Sequence, residues 1–447
     1  MKKYINILAS TLFCLFLFTN CEVEDDENPV FESTAVPRIF GWSTANTYTT
    51  DIEDSLLLNL QVSPADGATY KWIIDGVEVS NELQLKYLFP EAKNYTVKFE
   101  ATRNGVTNSR QAEVIVIKPF VPKAYSKKMV GFITEDGTID DINFANLTHL
   151  VISSAVVGEV AGQASLVDTT FQNLNIPIII KAAHNAGVYV LLDVTGNMTN
   201  LNGGGLYADY GFFNVIADPA KRDMAIATVM KFAANNDFDG INIFLNNTSE
   251  GYLDPIKVEA FFRAIPAALP TGPNGKFFYT ASVPGGWTTS VLAPIAKIPE
   301  IDWVNLQPYR YEDLAPTAHS PYWGSTDLVA TWVGFGLPKE KIVLGFPAFG
   351  LHYNMPKDGT QVTWGNLWQY STYESFRSIL QRDAAAHIKN LVAVDNGIYY
   401  DGHPVIQQKA QLVKDQGLGG MMMWSLEGDT KDQSKSLLKA ANTALGN

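Results

Sequence analysis

Cysteine is almost absent from this sequence of 447 residues, which has two, Cys14 and Cys21. Both lie in or directly after an apolar segment at the N-terminus. The chain beyond position 21 therefore has neither a disulfide nor a cysteine-based metal site, and hydrophobic cores must hold its domains together. A chain of this length is expected to form two or three domains.

Net positive charge is also lacking, since the formal charge at pH 7 is −13. An acidic balance disfavours nucleic acid and anionic membrane surfaces as partners. After the N-terminal segment, no apolar run approaches the roughly 20 residues needed to cross a bilayer. The spacing of the six histidines does not suggest a metal site, and we expect no cofactor.

The N-terminus has the pattern of a secretory signal, with two lysines before an apolar core at residues 5–18. The core ends at Cys21, and an acidic run follows at residues 22–27. This arrangement resembles the export signal of surface lipoproteins in Bacteroidota. We predict a signal peptide (residues 1–20), lipidation of Cys21, an acidic tether (residues 21–34) and a lipid anchor at the outer membrane, exposed on the cell surface. The alternative is an ordinary signal peptide followed by a solvated linker.

Short alternating apolar runs between turn signals dominate residues 35–118. One run, Tyr70-Lys71-Trp72-Ile73-Ile74, meets the turn Asp75-Gly76, and another at residues 95–100 precedes Asn104-Gly105. Strands at this spacing, with no helical periodicity, predict an all-β sandwich with Trp72 in its core. The pattern resembles immunoglobulin-like or PKD-like modules of secreted bacterial glycan proteins. We predict a spacer domain, followed by a linker at residues 119–126.

From residue 127 to the C-terminus, apolar strands alternate with helical segments. Eight such units predict a (β/α)8 TIM barrel, with an insertion near residues 351–418. The predicted strands cover residues 129–133, 148–155, 188–194, 240–245, 278–283, 303–306, 342–346 and 421–424.

One segment, Phe238 to Asn246, closely resembles the signature of family 18 glycoside hydrolases, the chitinases and endo-β-N-acetylglucosaminidases. That signature reads Asp-Gly-x-Asp-x-Asp-x-Glu. Asp239 and Gly240 fill its first two places, but Asn242, Phe244 and Asn246 replace the acids at the fourth, sixth and eighth places.

Other strands resemble the same family in register, over residues 127 to about 430. Phe132 matches the aromatic position of the first strand, and Trp424 the tryptophan of the eighth. On the third strand Asp193 replaces the usual serine. After the sixth strand, Tyr309 is kept, while Gln307 and Arg310 replace methionine and aspartate.

The resemblance implies a substrate-assisted mechanism, in which the acetamido oxygen of the sugar attacks its own anomeric carbon. The glutamic acid at the eighth place donates the proton, and an asparagine amide has none to give. Phe244 cannot steer the acetamido group either. Side chains that bind sugar remain, although each could serve in packing instead. The predicted glycan-binding residues are Trp424, Tyr309, Asn246, Trp287, Gln307, Asp193 and Phe132.

The leading hypothesis is therefore a surface protein that binds glycans without cleaving them. Its expected ligand is an oligosaccharide or a glycoprotein glycan containing N-acetylglucosamine, and its expected partners are outer-membrane glycan transporter components. One alternative is an active chitinase or endo-β-N-acetylglucosaminidase with a relocated acid, for which Glu250, Glu135, Asp193 and Glu427 are candidates. A second alternative is a structural protein without a ligand.

Overall fold

The computed structural model describes residues 35–160, 163–169, 174–196, 212–245, 254–285, 289–309 and 313–447. The chain divides into two compact units, residues 1–116 and 117–447. Within the described ranges, no helix is long and apolar enough to cross a membrane. The predicted signal peptide, the acidic tether and Cys21 lie outside the described residues.

The first unit is all β in its described part, as predicted. Its strands are β1 (Arg38–Phe40), β2 (Thr47–Asp51), β3 (Ser55–Asn59), β4 (Gln61–Ser63), β5 (Thr69–Ile74), β6 (Val77–Ser80), β7 (Gln84–Leu88), β8 (Asn94–Arg103) and β9 (Val106–Ile117). A five-stranded antiparallel sheet has the order β2-β9-β8-β5-β6, and the pairs β1–β4 and β3–β7 complete the unit. Trp72 is fully buried and packs on Phe99 at 4.6 Å, which confirms its predicted place in the core.

The second unit contains the predicted barrel. Its strands are β10 (Lys128–Ile133), β11 (His149–Val160), β12 (Gln163–Thr169), β13 (Tyr189–Gly196), β14 (Gly240–Phe244), β15 (Phe278–Pro284), β16 (Trp303–Gln307), β17 (Ile342–Pro347), β18 (Phe349–Tyr353), β19 (Ser371–Ser375), β20 (Leu391–Val392), β21 (Ile398–Tyr400) and β22 (Gly420–Trp424). Eight parallel strands follow the order β10-β22-β17-β16-β15-β14-β13-β11, and pairing between β10 and β11 closes the barrel. The eight strand predictions and the fold class are confirmed.

The helices alternate with these strands, as a βα barrel requires. They are α1 (Ile176–Asn185), α2 (Phe212–Ala217), α3 (Pro219–Asn235), α4 (Pro255–Ala264), α5 (Thr289–Leu292), α6 (Tyr322–Phe335), α7 (Phe376–Arg382), α8 (His403–Gln416) and α9 (Leu437–Leu445). Asp218 and Asp254 cap α3 and α4 by accepting backbone N–H bonds, and a proline follows each cap. Both carboxylates thus accept hydrogen bonds from N–H groups of the first helical turn, which have no acceptor within the helix.

Residues 119–126, predicted as a linker, pack against the N-terminal end of the barrel. The Phe120 ring lies 4.8 Å from that of Tyr189, and the Tyr125 ring lies 5.6 Å from that of His149. The Lys123 ammonium donates to the carbonyl oxygens of Phe144 (2.6 Å) and Leu147 (3.0 Å). Aromatic packing and these bonds hold the segment against the barrel.

The predicted insertion forms a small antiparallel sheet of order β19-β18-β21-β20, and helix α7 lies between β19 and β20 in the chain. A buried ion pair lies near the C-terminal end of the predicted insertion. The Lys409 ammonium of α8 donates to Asp401 (2.7 Å) and to the Ser320 hydroxyl (2.6 Å), and all three side chains are buried. Ser320 precedes α6, so its hydrogen bonds to this pair connect the predicted insertion to the segment after β16.

Candidate functional site

Side chains that point into the barrel change from aromatic to polar along its axis. Alternate residues of a strand share one face, so β13 directs Tyr189, Leu191, Asp193 and Thr195 inward. At the N-terminal end, the ring of Tyr189 contacts that of Phe278 at 4.9 Å. Toward the C-terminal end the inward residues become polar, and this is the end at which βα barrels build their sites.

A hydrogen-bonded layer centred on Asn242 crosses the barrel at this level. The Asn242 amide donates to Asp193 (2.7 Å) and to Ser282 (3.0 Å). Its oxygen accepts from Thr280 (2.9 Å) and from Asn305 (3.1 Å). Since Asn242 is fully buried and these bonds occupy both ends of its amide, its role is structural.

Asp193 contributes a buried carboxyl group to the same layer. One oxygen accepts from Asn242, and the other accepts from the Ser153 hydroxyl at 2.7 Å. Burial raises the pKa of Asp193 to about 6, although the hydrogen bonds from Asn242 and Ser153 oppose the shift. Asp193 therefore changes its protonation state near pH 6.

A cleft of about 190 Å³ lies above this layer at the strand ends. Its lining includes Asp193, Thr195, Phe244 and Trp424. The Phe244 and Trp424 rings are 5.7 Å apart at 60°. The structure thus brings together three residues that the sequence singled out on β13, β14 and β22.

Phe132 supports the Trp424 indole from within the barrel. The two rings are 5.2 Å apart, and Phe132 has no exposed surface. The sequence predicted that Phe132 would contact a glycan. In the structure the indole covers it, because both residues point into the barrel from the neighbouring strands β10 and β22.

A second cleft, of about 410 Å³, shares Trp424 with the first. Phe349 and Tyr373 of the insertion line it, together with Glu427. The Glu427 carboxylate accepts from the Thr134 hydroxyl at 2.5 Å and from the Ser425 hydroxyl. These bonds hold Glu427 between the ends of β10 and β22.

Two other predicted residues are nearly buried at the end of β16. The Tyr309 ring contacts Phe349, which lines the second cleft, at 5.8 Å. Among the described residues, the side-chain nitrogen of Gln307 has no hydrogen-bond partner, and the same is true of the Thr195 hydroxyl. Buried polar atoms of this kind are rare in folded proteins and suit a ligand or water. The predicted residues Asn246, Trp287, Arg310 and Glu250 lie outside the described part of the chain.

Asp239, the first residue of the signature, lies at the opposite end of β14 from the clefts. Its carboxylate accepts from His184 Nε2 and from the backbone N–H of Val190, both at 2.8 Å, and from Asn274 at 2.7 Å. The side chain is fully buried. Asp239 therefore fixes the start of the strand and takes no part in the cleft.

Three features of the site were not predicted from the sequence. They are the hydrogen bond from Ser153 to Asp193, the place of Tyr373 in the second cleft, and the bonds that hold Glu427. Ser153 follows His149 and Val151 at intervals of two on β11, so strand alternation could have indicated that it points inward. Tyr373 lies in a short edge strand without such a pattern. Within the described ranges, no group of three or more histidine, cysteine or acidic side chains could hold a metal ion.

Comparison with known families agrees with this architecture. The family model described as "Glycosyl hydrolases family 18" matches residues 128–429. The chain belongs to glycosyl hydrolases family 18. A second model, described as a PKD-like domain, matches residues 37–103 of the first unit.

Similar members of family 18 share the fold at low sequence identity. Human Chitinase-3-like protein 2 is 23% identical over 266 residues, which cover 51% of this chain and 68% of the human protein. A chitinase from Bacteroides thetaiotaomicron superposes with a TM-score of 0.57 at 20% identity, over 72% of this chain and 96% of that one. The structure of YKL-39 with chitooligosaccharides gives 0.54 at 18% identity, over 72% and 100%.

The residues that make the Asp193–Asn242 contact both differ from those usual in family 18. The family signature has aspartate at the place of Asn242, and the usual third-strand residue at the place of Asp193 is serine. In this chain the two positions are register partners on adjacent strands. A carboxylate is thus present on β13 instead of β14, and a hydrogen bond still joins the two strands.

Proposed function

We propose that this protein binds glycans containing N-acetylglucosamine in the clefts around Trp424 and does not hydrolyse them. The observation that carries the proposal is the identity and packing of Phe244. It occupies the place of the steering aspartate, is nearly buried, and contacts the Trp424 indole. A phenyl ring can neither orient an acetamido group by a hydrogen bond nor raise the pKa of a neighbouring acid.

The proton donor of the family is missing as well. Asn246 stands at its place in the sequence, and an amide does not act as a general acid at ordinary pH. The loss of both groups removes proton transfer and substrate positioning together.

Groups suited to sugar binding remain at the same end of the barrel. Trp424 lines both clefts and is partly exposed. An indole offers an apolar face to the C–H surface of a pyranose ring. Thr195 and Gln307 offer buried polar atoms for its hydroxyl or acetamido groups. The likeness to a structure obtained with chitooligosaccharides supports this class of ligand.

We further propose that lipidation of Cys21 anchors the protein to the outer membrane with its domains outside the cell. The acidic run after Cys21 supports this placement, and partners from a glycan transporter would then receive the captured oligosaccharide. Protease treatment of intact cells provides the measurement, because it removes a surface protein and spares a periplasmic one.

The purified protein is expected to release no product from chitohexaose or from an N-glycosylated protein above the level of a heat-inactivated sample. The reason is the absence of the acid and steering groups. Chromatographic detection of released sugars at high protein concentration provides the measurement.

Hydrolysis by a relocated acid is the alternative, and one observation favours it. Asp193 lines the smaller cleft, and burial raises its pKa to about 6, which suits a general acid. Both of its oxygens, however, already accept hydrogen bonds. Turnover that is lost in Asp193→Asn, Glu135→Gln, Glu250→Gln or Glu427→Gln would overturn the proposal and identify the acid.

Trp424→Ala should weaken glycan binding while the barrel stays folded. Stacking of a sugar on an indole is expected to contribute on the order of 1–3 kcal/mol, or roughly a 5- to 150-fold change in affinity. Calorimetric titration with chitotriose measures the change, and Trp424→Phe serves as the matched control that keeps an aromatic face. Unchanged affinity in a folded Trp424→Ala protein would exclude stacking at this residue.

A further inference from the structure

The two clefts that share Trp424 are acidic. Glu135 and Asp193 line the smaller cleft, and Glu427 lines the larger one. Arg377, in the larger cleft, is the one basic side chain among the described residues of either lining. Acidic walls beside an aromatic ring suit a ligand that carries a positive charge.

The basic groups nearest to the larger cleft are already engaged. The Arg377 guanidinium donates to the Asp141 carboxylate (2.7 Å) and to the backbone carbonyl oxygen of Asp429 (2.9 Å). A further carboxylate of this cleft, that of Glu374, accepts from the Arg382 guanidinium at 2.8 Å. Neither guanidinium therefore forms an ion pair with the remaining carboxylates of the two clefts.

Neutral groups alone bind the carboxylates beside Trp424. The Glu427 carboxylate accepts from two hydroxyl groups, and the Asp193 carboxylate accepts from one hydroxyl and one amide. Glu135 forms no ion pair within the described ranges. Hydrogen bonds from neutral donors orient a carboxylate without cancelling its charge, so this region carries negative charge that no described cation balances.

Contacts in the structure place these three carboxylates around one ring. Glu427 is bonded to Thr134 at 2.5 Å, and Glu135 follows Thr134 in the chain at the end of β10. Glu135 and Asp193 line the same cleft of about 190 Å³ together with the Trp424 indole. A sugar ring that covers the indole would therefore have carboxylates on more than one side.

Asp193 contributes its charge at neutral pH. Burial raises its pKa to about 6, so most of the carboxyl groups are ionised at pH 7. Each carboxylate oxygen has two acceptor sites, and a single hydrogen bond leaves the other free. Because Asp193 is buried, its charge acts through a medium of low dielectric constant and attracts a cation in the cleft strongly.

Phe244 indicates which group of the sugar this charge would meet. Its phenyl ring, at the place of the steering aspartate, offers no acceptor to an acetamido N–H. Removal of the acetyl group leaves an ammonium group on the same carbon of the sugar, and a carboxylate binds an ammonium group more strongly than it binds an amide N–H. The pyranose keeps its C–H face, and the face of an indole also attracts cations.

We propose that the clefts around Trp424 take a partly deacetylated glycan, in which the ammonium group of a glucosamine unit lies among Glu135, Glu427 and Asp193. This inference rests on the proposed function. It narrows the ligand from N-acetylglucosamine chains in general to those that carry free amino groups. A lysine-rich peptide has the same charge but no sugar ring to cover the indole, so the test includes one.

The test compares three probes by calorimetric titration near pH 6.5. They are chitotriose, the fully deacetylated glucosamine trimer, and trilysine. We expect the wild type to bind the glucosamine trimer roughly tenfold more tightly than chitotriose, because hydrogen bonds to charged groups are the stronger ones. Added salt should weaken binding of the glucosamine trimer and leave that of chitotriose unchanged. Trilysine should bind more weakly than the glucosamine trimer.

The double variant Glu135→Gln, Glu427→Gln removes two charges and keeps the size of both side chains. We expect the ratio of its affinities for the two sugar trimers to fall roughly tenfold, to about one. Glu300→Gln is the matched control, because Glu300 is exposed and precedes β16 at the opposite end of the barrel. That variant should keep the preference of the wild type.

The outcomes separate this inference from the proposed function. Equal affinity of the wild type for the two sugar trimers excludes the inference and leaves the glycan-binding function standing. A preference that survives in the double variant also excludes it, since the named carboxylates would not be responsible. Trilysine that binds as tightly as the glucosamine trimer excludes it too, because the clefts would then select charge alone. If the wild type binds neither sugar trimer, both proposals fail.

Discussion

Asn242→Asp should destabilise the barrel by roughly 3–5 kcal/mol at pH 8, but by only about 1–2 kcal/mol at pH 5. The substitution places a second buried carboxyl group beside Asp193, whose oxygen now lies 2.7 Å from the Asn242 amide. Two such groups cannot both ionise, so one must keep its proton in the folded state. Each pH unit above the unfolded pKa then costs about 1.4 kcal/mol.

The direction of the pH effect follows from Asp193 in the wild type. Burial raises its pKa from 3.8 to about 6 in the folded protein. The folded state therefore keeps a proton that the unfolded chain releases between these values, and stability falls as pH rises from about 4 to 6. In Asn242→Asp the fall should continue to higher pH. Urea unfolding followed between pH 4 and pH 8 measures both profiles.

The double variant Asp193→Ser, Asn242→Asp is the matched control. It retains one carboxylate and moves it to β14, where Ser282, Thr280 and Asn305 already surround the side chain. We expect it to recover most of the lost stability. A single variant as stable as the wild type at pH 8 would show that water enters this layer and solvates the second charge.

Lys409→Met is expected to lower the free energy of unfolding by about 3–5 kcal/mol, because it leaves Asp401 buried without a counter-charge. The ion pair is 2.7 Å long, and both side chains have almost no exposed surface. Burial raises the pKa of Asp401, and Lys409 opposes that rise. The unfolding midpoint of the second unit in urea provides the measurement.

A double variant without either charge separates the electrostatic effect of the ion pair from the effect of side-chain packing. Lys409→Met with Asp401→Leu should recover a large part of the loss, since neither charge then remains in the interior. Lys389→Met is the surface control in the same unit: its bond to Asp383 is 2.6 Å long, but the lysine side chain is half exposed, so no change in the midpoint is expected. A Lys409→Met protein with an unchanged midpoint would mean that solvent reaches Asp401.

Strand positions in the barrel were predictable because parallel strands buried on both faces appear as continuous apolar runs. All eight predicted strands start within one residue of their observed starts. The hairpin of β11 and β12 was missed, since β11 continues five residues past its predicted end at Ala155. The short strands of the insertion carry no alternation that could have revealed them.

Which residues lie at the site could be predicted from the sequence better than which of them contact one another. Trp424 and Phe244 were located from their places in a motif, and they do meet. Asp193 was expected to contact a ligand, but its partners Ser153 and Asn242 are 40 and 49 positions away in the chain. Only the register of three strands joins them, and a single sequence does not specify register.

The signature spans both ends of β14, but the two ends have different roles: the first is bonded into the fold, and the last borders the smaller cleft. Asp239 is tied to His184, Val190 and Asn274, so its loss would damage the fold whatever the protein does. The sixth and eighth places of the signature differ from this, because they hold Phe244 and Asn246 in a chain that still forms the eight-stranded barrel. A search that scores the signature as a single unit therefore measures the fold and the chemistry together. The first and fourth places, Asp239 and Asn242, report how the barrel is built, whereas the sixth and eighth are the places from which the chemistry of the family can be inferred.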